Sequence, residues 1–182
     1  DRELLRSRLY EVGWEDGAVL DEFRLTVPSY GDRSISLHLM VPEGRTYEVF
    51  LDSQNGSLKA ENLKTTSLQM ETINGSTELR SVKALSILGK SGNGSVEMEG
   101  VEADSIRHRL GNGSYRVSVA SPEVDLVTTN GTVNVRVAEV HGRAKYCLRT
   151  TNGTIKVSLP SRVDLGTSLD LRTSVGRITA EL

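Results

Sequence analysis

Cys147 is the only cysteine in a chain of 182 residues. No internal disulfide can form, and a structural zinc site built on several thiolates is excluded. Cys147 reads as a small strand residue in Tyr146-Cys147-Leu148, because a reactive thiol would need a low pKa and a partner base. Long apolar runs are missing too: nothing approaches the ~18 residues of a membrane-spanning helix. Asp1 opens a charged stretch, so no signal peptide is read there. Basic charge is not in excess. The formal net charge is -2, which argues against a general nucleic-acid binder. What is present, 37% hydrophobic and 25% charged residues, suits a soluble folded domain.

The chain does have a repeat. Six triplets recur: Asn55-Gly56-Ser57, Asn74-Gly75-Ser76, Asn93-Gly94-Ser95, Asn112-Gly113-Ser114, Asn130-Gly131-Thr132 and Asn152-Gly153-Thr154. The steps between the Asn residues are 19, 19, 19, 18 and 22, a period that marks a repeat architecture. Apolar residues alternate on both sides of each triplet, as in Leu68/Met70 before Asn74 and Val96/Met98 after Asn93. That is the period-2 pattern of half-buried strands. A degenerate seventh copy turns at Val175-Gly176, between Leu169/Leu171 and Ile178/Ala180. The Asn-Gly pair is read as a corner that needs positive φ, which Gly adopts freely and Asn tolerates. A small hydroxyl precedes the Asn by two (Ser53, Thr72, Ser91, Thr128, Thr150, Thr173). It is expected to point inward and bond the backbone near the corner. Leu110 breaks that column. The triplets also match the N-glycosylation acceptor pattern, but their coincidence with the structural period favours turn chemistry.

Two folds fit the pattern. Each Asn-Gly is a hairpin turn of an antiparallel meander or sandwich, or a corner of a β-solenoid whose coils stack in parallel. Charges discriminate, because neighbouring like charges disfavour a pairing. The hairpin register pairs Asp52 with Lys59, Lys90 with Glu97 and Asp125 with Arg136 favourably, but sets Glu71 against Glu78, Arg109 against Arg116, Arg149 against Lys156 and Asp170 against Glu181. The stacked register sets Glu61-Arg80-Glu99, Lys59-Glu78, Glu97-Arg116, Glu71-Lys90 and Arg107-Asp125 together, against repulsion at Asp52-Glu71, Glu78-Glu97, Lys90-Arg109 and Arg149-Arg172. The balance only leans towards stacking. The constant step of 19 is the stronger argument, since a coil must return to the same place each turn. Asn62-Leu63-Lys64, Ser81-Val82-Lys83 and Gly100-Val101-Glu102 add a third short side with one inward apolar residue. The expectation is a β-solenoid of about seven coils, roughly 30 Å long at the usual strand spacing.

Residues 1–45 differ. Leu4, Leu5, Leu9 and Val12 suit a short amphipathic helix or a loose segment. Phe23/Leu25/Val27 and Ile35/Leu37/Leu39/Val41 alternate as strands between turns at Asp16-Gly17, Pro28-Ser29-Tyr30-Gly31-Asp32 and Pro42-Glu43-Gly44. A solenoid exposes an open core at each end. Residues 1–45 are therefore read as an N-terminal β cap, and 46–182 as repeat coils of one domain spanning 1–182.

Catalytic groupings are missing. His38 alternates outward, His108 falls in an inward column between Gly89 and Leu126 as a satisfied buried histidine, and His141 belongs to a loop. None pairs with a nucleophile at a usable spacing. The carboxylates Glu61, Glu78, Glu97, Glu99 and Glu102 interleave with Lys59, Arg80 and Lys83 instead of clustering as in polysaccharide-active β-helix enzymes. No Asp column of the calcium-binding kind exists, and the outward residues before each Asn are too irregular for an ice-binding Thr array. One outward column changes character, from Asp52 and Glu71 to Lys90, Arg109, Val127, Arg149 and Arg172. Lys90, Arg109, Arg149 and Arg172 are the candidate basic stripe, read either as a solvated charged face or as a site for an anionic envelope polymer or lipid headgroup surface.

The runs Thr128-Thr129-Asn130-Gly131-Thr132-Val133-Asn134-Val135 and Thr150-Thr151-Asn152-Gly153-Thr154-Ile155-Lys156-Val157 resemble a bacterial adhesin domain family of unknown function. So do Val41-Pro42-Glu43-Gly44 and Leu169-Asp170-Leu171-Arg172-Thr173-Ser174-Val175-Gly176. The resemblance covers about residues 20–182. It implies a right-handed β-solenoid, a non-enzymatic role, a bacterial source and, for some relatives, envelope-stress signalling at the cell surface or near the membrane. It brings no catalytic residues, metal or cofactor. The expected function is a binding or scaffold module of the bacterial cell envelope, its partners a protein, an anionic envelope polymer or a second copy of itself. A cell-surface or membrane-associated location is expected, with the cytoplasm left open. The alternatives are a self-assembling structural protein similar to the bactofilin β-helices and, further off, a polysaccharide-active enzyme.

Overall fold

The computed structural model describes residues 47–139, 142–162 and 166–181, which fall in one compact unit, Pro42–Leu182. The expected cap, the single-domain boundary that depends on it, His38 and His141 lie outside the described residues. Within them every element is a strand and every strand pair is parallel. The antiparallel meander is thereby overturned in favour of stacked coils.

Two ladders run side by side. The first stacks β1 (Tyr47–Asn55), β3 (Lys64–Asn74), β5 (Lys83–Asn93), β6 (Val96–Asn112), β8 (Glu123–Asn130), β10 (Lys145–Asn152) and β12 (Ser168–Val175). The second stacks β2 (Leu58–Glu61), β4 (Thr77–Arg80), the start of β6, β7 (Tyr115–Ala120), β9 (Val133–Val137), β11 (Ile155–Ser158) and β13 (Ile178–Glu181). Each ladder has seven members, one per coil. Equivalent residues pair in register: Leu68 with Ile87, Ile87 with Ile106, Ile106 with Val124 and Val124 with Tyr146. The inward columns form one continuous core including Leu68, Met70, Leu79, Ile87, Met98, Ile106, Leu126, Leu148 and Ile155. Because only alternate side chains face in, each coil contributes its apolar residues to the layers above and below. Burial therefore depends on both neighbours. The third short side is also built as expected. Val82, Val101, Val119, Val137 and Leu159 are buried behind it, with Leu63 packed against them.

The corners differ from the sequence expectation in one respect. Among the triplets it is Gly, not Asn, that takes the unusual backbone: φ is 143° at Gly94, 142° at Gly113, 149° at Gly131 and 153° at Gly153. The Asn residues do not have positive φ. The non-glycine residues that do are Asn62 and Ser81, both at 52°, on the other corner, where Gly100 follows at 61°. The triplet Asn instead holds a side-chain ladder. Asn74 donates from Nδ2 to Oδ1 of Asn55 (2.9 Å), Asn93 to Asn74 (2.8 Å), Asn112 to Asn93 (2.9 Å), Asn130 to Asn112 (2.6 Å) and Asn152 to Asn130 (2.8 Å). A carboxamide is self-complementary along a parallel in-register stack, since each can donate one way and accept the other. At the same corner the backbone N–H of each Gly donates to the carbonyl of the next coil's corner residue, Asn74 for Gly56 through Asn152 for Gly131, and Val175 for Gly153.

The threonines of the hydroxyl column behave as expected, whereas Ser91 faces the His108 ring instead. Thr150 and Thr173 donate to the carbonyls of Gly131 and Gly153, both at 3.1 Å, and Thr72 to that of Gly56 at 3.3 Å. Each ties a coil to the corner below it. Replacing Asn112, the middle of the amide ladder, by Ala removes two exposed side-chain hydrogen bonds. It is expected to lower stability by about 1 kcal/mol, read as a shift in the urea midpoint with unchanged slope.

Candidate functional site

The basic column is real as a juxtaposition. Register places Glu71 beside Lys90, Lys90 beside Arg109, Arg109 beside Val127, Val127 beside Arg149 and Arg149 beside Arg172. These side chains point outward because the alternate positions Leu68, Met70, Leu126 and Leu148 face the core. The sequence did not reveal how the like charges are reconciled. Two residues earlier on the same strands runs a parallel column of Phe50, Gln69, Leu88, Arg107, Asp125, Cys147 and Asp170. Its carboxylates reach across to the stripe. Arg109 Nη2 donates to Asp125 Oδ2 at 2.7 Å, Arg149 Nη2 to Asp170 Oδ2 at 2.7 Å and Arg172 Nε to Asp170 Oδ1 at 2.6 Å. Arg107 turns instead to Glu123, at 2.8 Å. Hydrogen bonds from Arg149 and then Arg172 hold the Asp170 carboxyl below its ordinary range.

The stripe thus carries four cations, Lys90, Arg109, Arg149 and Arg172, against three carboxylates, Glu71 beside Lys90 in the register and Asp125 and Asp170 in the neighbouring column. Lys90 has no ion-pair partner among the described residues. Beside the stripe lies a shallow groove lined by Val127, Arg149, Thr151, Leu171, Arg172 and Ile178. Among the described residues no group of three or more His, Cys, Asp and Glu is placed to hold a metal ion, and no helix is long and apolar enough to cross a membrane. Cys147 is buried between Asp125 and Asp170 in the register.

His108 is the one titratable side chain in the core column, and it is fully buried. Gly89 faces it on the coil below, and a Cβ there would lie 1.9 Å from the imidazole Cδ2. The missing side chain of Gly89 is the space the ring occupies. Tyr115 crosses the ring edge-on, with centroids 5.5 Å apart and planes at 84°. Its hydroxyl lies 3.0 Å from His108 Nδ1, 3.0 Å from the Val127 carbonyl and 3.1 Å from the His108 carbonyl. Ser91 Oγ lies 3.4 Å from Nε2. One arrangement of protons serves a neutral ring. Nδ1–H donates to the Tyr115 oxygen, Tyr115 donates to a carbonyl, and Ser91 donates to Nε2. Burial, followed by the positive charge of Arg109, pushes the imidazole pKa down from 6.5 to about 4. Burial also pushes the Tyr115 phenol well above its ordinary value. With no open approach to either nitrogen, this cluster serves the fold, as the sequence reading expected of His108.

A parallel β-solenoid with a packed apolar interior and charge-patterned outer columns is a repeat protein of stacked coils. The family model of Toastrack DUF4097 matches residues 18–182, and the chain belongs to that family, a domain family of unknown function. No curated protein and no solved structure matches it.

Proposed function

We propose that this chain is a non-enzymatic binding or scaffold module of the bacterial cell envelope, an adhesin-type domain that takes an anionic envelope polymer along its basic stripe. The observation that carries the reading is the register of Lys90, Arg109, Arg149 and Arg172 in one outward column, spaced by the parallel ladder. A linear polyanion meets cations repeated along a rigid axis, and four cations against the three carboxylates Glu71, Asp125 and Asp170 leave that line net positive by one. The Thr-rich corners and the groove beside Arg149 and Arg172 supply hydroxyls within reach of the same line.

The test is titration of the chain with a purified anionic cell-wall glycopolymer at two salt concentrations. Salt-sensitive binding is expected. The combined variant Lys90→Gln, Arg109→Gln, Arg149→Gln and Arg172→Gln should weaken it by roughly tenfold or more, in line with losing several surface charge contacts. Undiminished binding by a folded variant would remove the stripe from the function.

A further inference from the structure

We infer that Asn152 is a site of spontaneous covalent modification, at which the side chain closes on the backbone nitrogen of Gly153 and is converted to aspartate and isoaspartate. The chemistry is available at every triplet. Asn followed by Gly is the dipeptide most open to this reaction, because no side chain on the second residue hinders its nitrogen. The nitrogen of Gly153 forms a bond to Cγ of Asn152 and gives up its proton. The Cγ–Nδ2 bond breaks, and Nδ2 leaves with that proton as ammonia. Water then opens the five-membered imide at either of its two carbonyls, giving Asp or isoaspartate. All six triplet Asn residues are exposed, so water and base reach each of them alike.

Exposure therefore does not choose among the six; the stacking does. Three restraints oppose ring closure. Each triplet Asn is the last residue of its strand, and closure requires it to leave the extended geometry. Each following Gly N–H is held by a carbonyl one coil on, Gly113 by Asn130 at 2.8 Å and Gly153 by Val175 at 2.8 Å. Those two restraints are common to all six. The third is not. The amide ladder opposes rotation of the carboxamide towards the backbone, and Asn74, Asn93, Asn112 and Asn130 are pinned through both Nδ2 and Oδ1. Asn55 accepts from Asn74, and what precedes its coil lies outside the described residues. Asn152 donates to Asn130 at 2.8 Å, but its register partner on the other side is Val175. A Val side chain has no donor to offer Oδ1. Asn152 thus stands between two described coils and is held in the ladder from one of them alone. The products alter this corner. A carboxylate at position 152 cannot donate to Asn130, and isoaspartate lengthens the main chain by one methylene where Gly153 must reach Val175. Arg149 and Arg172 of the basic stripe pair in register on the same two strands.

The experiment is incubation of the whole folded chain at mildly alkaline pH, with samples taken over weeks for tryptic mass mapping and enzymatic methylation of isoaspartate. Cuts after Arg149 and Lys156 isolate Asn152, and cuts after Arg109 and Arg116 isolate Asn112. Asn152 should convert about fivefold faster than Asn112, the factor set by one exposed hydrogen bond. In urea the two should convert at similar, higher rates. Val175→Asn supplies a carboxamide to Oδ1 of Asn152. It should slow Asn152 to the rate of Asn112 and move the fast conversion to position 175. Asn130→Ala removes the remaining ladder bond of Asn152 and should speed its conversion further. Circular dichroism confirms that each variant folds. Equal rates at Asn152 and Asn112 in the folded chain overturn the inference, since strand geometry and the Gly N–H bonds would then govern closure alone. An Asn152 rate indifferent to both variants overturns it as well. So does an Asn152 that stays unconverted in the folded chain over the time in which the unfolded chain converts.

Discussion

Gly113→Ala is expected to destabilise the protein by more than about 3 kcal/mol, beyond the ordinary range of a single surface substitution. Two independent costs meet at this residue. Its φ of 142° is a conformation that L side chains rarely adopt, so any Cβ carries backbone strain. A Cβ there would also stand 1.6 Å from the Gly94 carbonyl oxygen of the preceding coil. Neither atom is a flexible side-chain end. Relief requires the coils to part, and the bonds Gly94 N to Asn112 O (3.0 Å) and Gly113 N to Asn130 O (2.8 Å) hold them together at this corner. Gly142→Ala is the control. Its φ is 76°, but among the described residues no atom beyond its chain neighbours lies within 4 Å of the added Cβ. It should show the conformational cost alone, about 1–2 kcal/mol. Urea unfolding of the two variants separates collision from strain. Equal losses would show that the close stacking of the Gly column contributes nothing.

Stability should also fall as pH drops from about 6.5 to about 4, and His108 should account for up to about 3 kcal/mol of that loss. The sign follows from proton counting. In the unfolded chain the imidazole takes up a proton near its ordinary 6.5, whereas in the core its pKa is about 4. Between those values the unfolded state binds more protons, so falling pH favours unfolding. Below about 4 both states are protonated and the contribution stays lost. The groups facing the ring explain the direction. Ser91 and Tyr115 are neutral, and Arg109 is a cation. Among the described residues no carboxylate hydrogen-bonds the ring to compensate an imidazolium. Paired carboxylates such as Asp170 and Glu123 also lose their contribution in acid, but at lower pH, since their pKa values are depressed. The variant His108→Leu, which puts at this position the residue carried by the next coil at Leu126, should flatten the slope of stability between pH 6.5 and 4. An unchanged slope would show that His108 is already protonated in the fold or gains an acidic partner.

The inward columns were legible because their signal is local. Alternation in Leu68/Met70 and Val96/Met98 follows from a strand with one buried face, and a step held at 19 leaves little but stacking. The third side was readable from Leu63, Val82 and Val101 for the same reason. The role of Asn was not. Tolerance of positive φ is a property of a residue by itself, whereas the amide ladder exists only when another Asn lies one coil away in register. The φ argument was sound at a different corner, Asn62 and Ser81. Gly89 and His108 were visible as neighbours in a column, but the fit of ring to missing side chain needed coordinates. The stripe shows the same limit. Lys90, Arg109, Arg149 and Arg172 were found by counting from the Asn. Asp125 and Asp170 meet Arg109 and Arg149 on a diagonal across the ladder, which a same-column count does not reach.

By itself the sequence determined the period, the inward residues and the identity of the corners, because each depends on chain-local geometry repeated without interruption. Only the tertiary structure decided what crosses between coils: the amide ladder, the contact of Gly on Gly, the His108 cluster and the diagonal pairing of Arg109 with Asp125 and of Arg149 with Asp170. Residues 19 to 22 positions apart along the chain become neighbours only once the strands have stacked. The energies that fix which of them bond are set by that stacking.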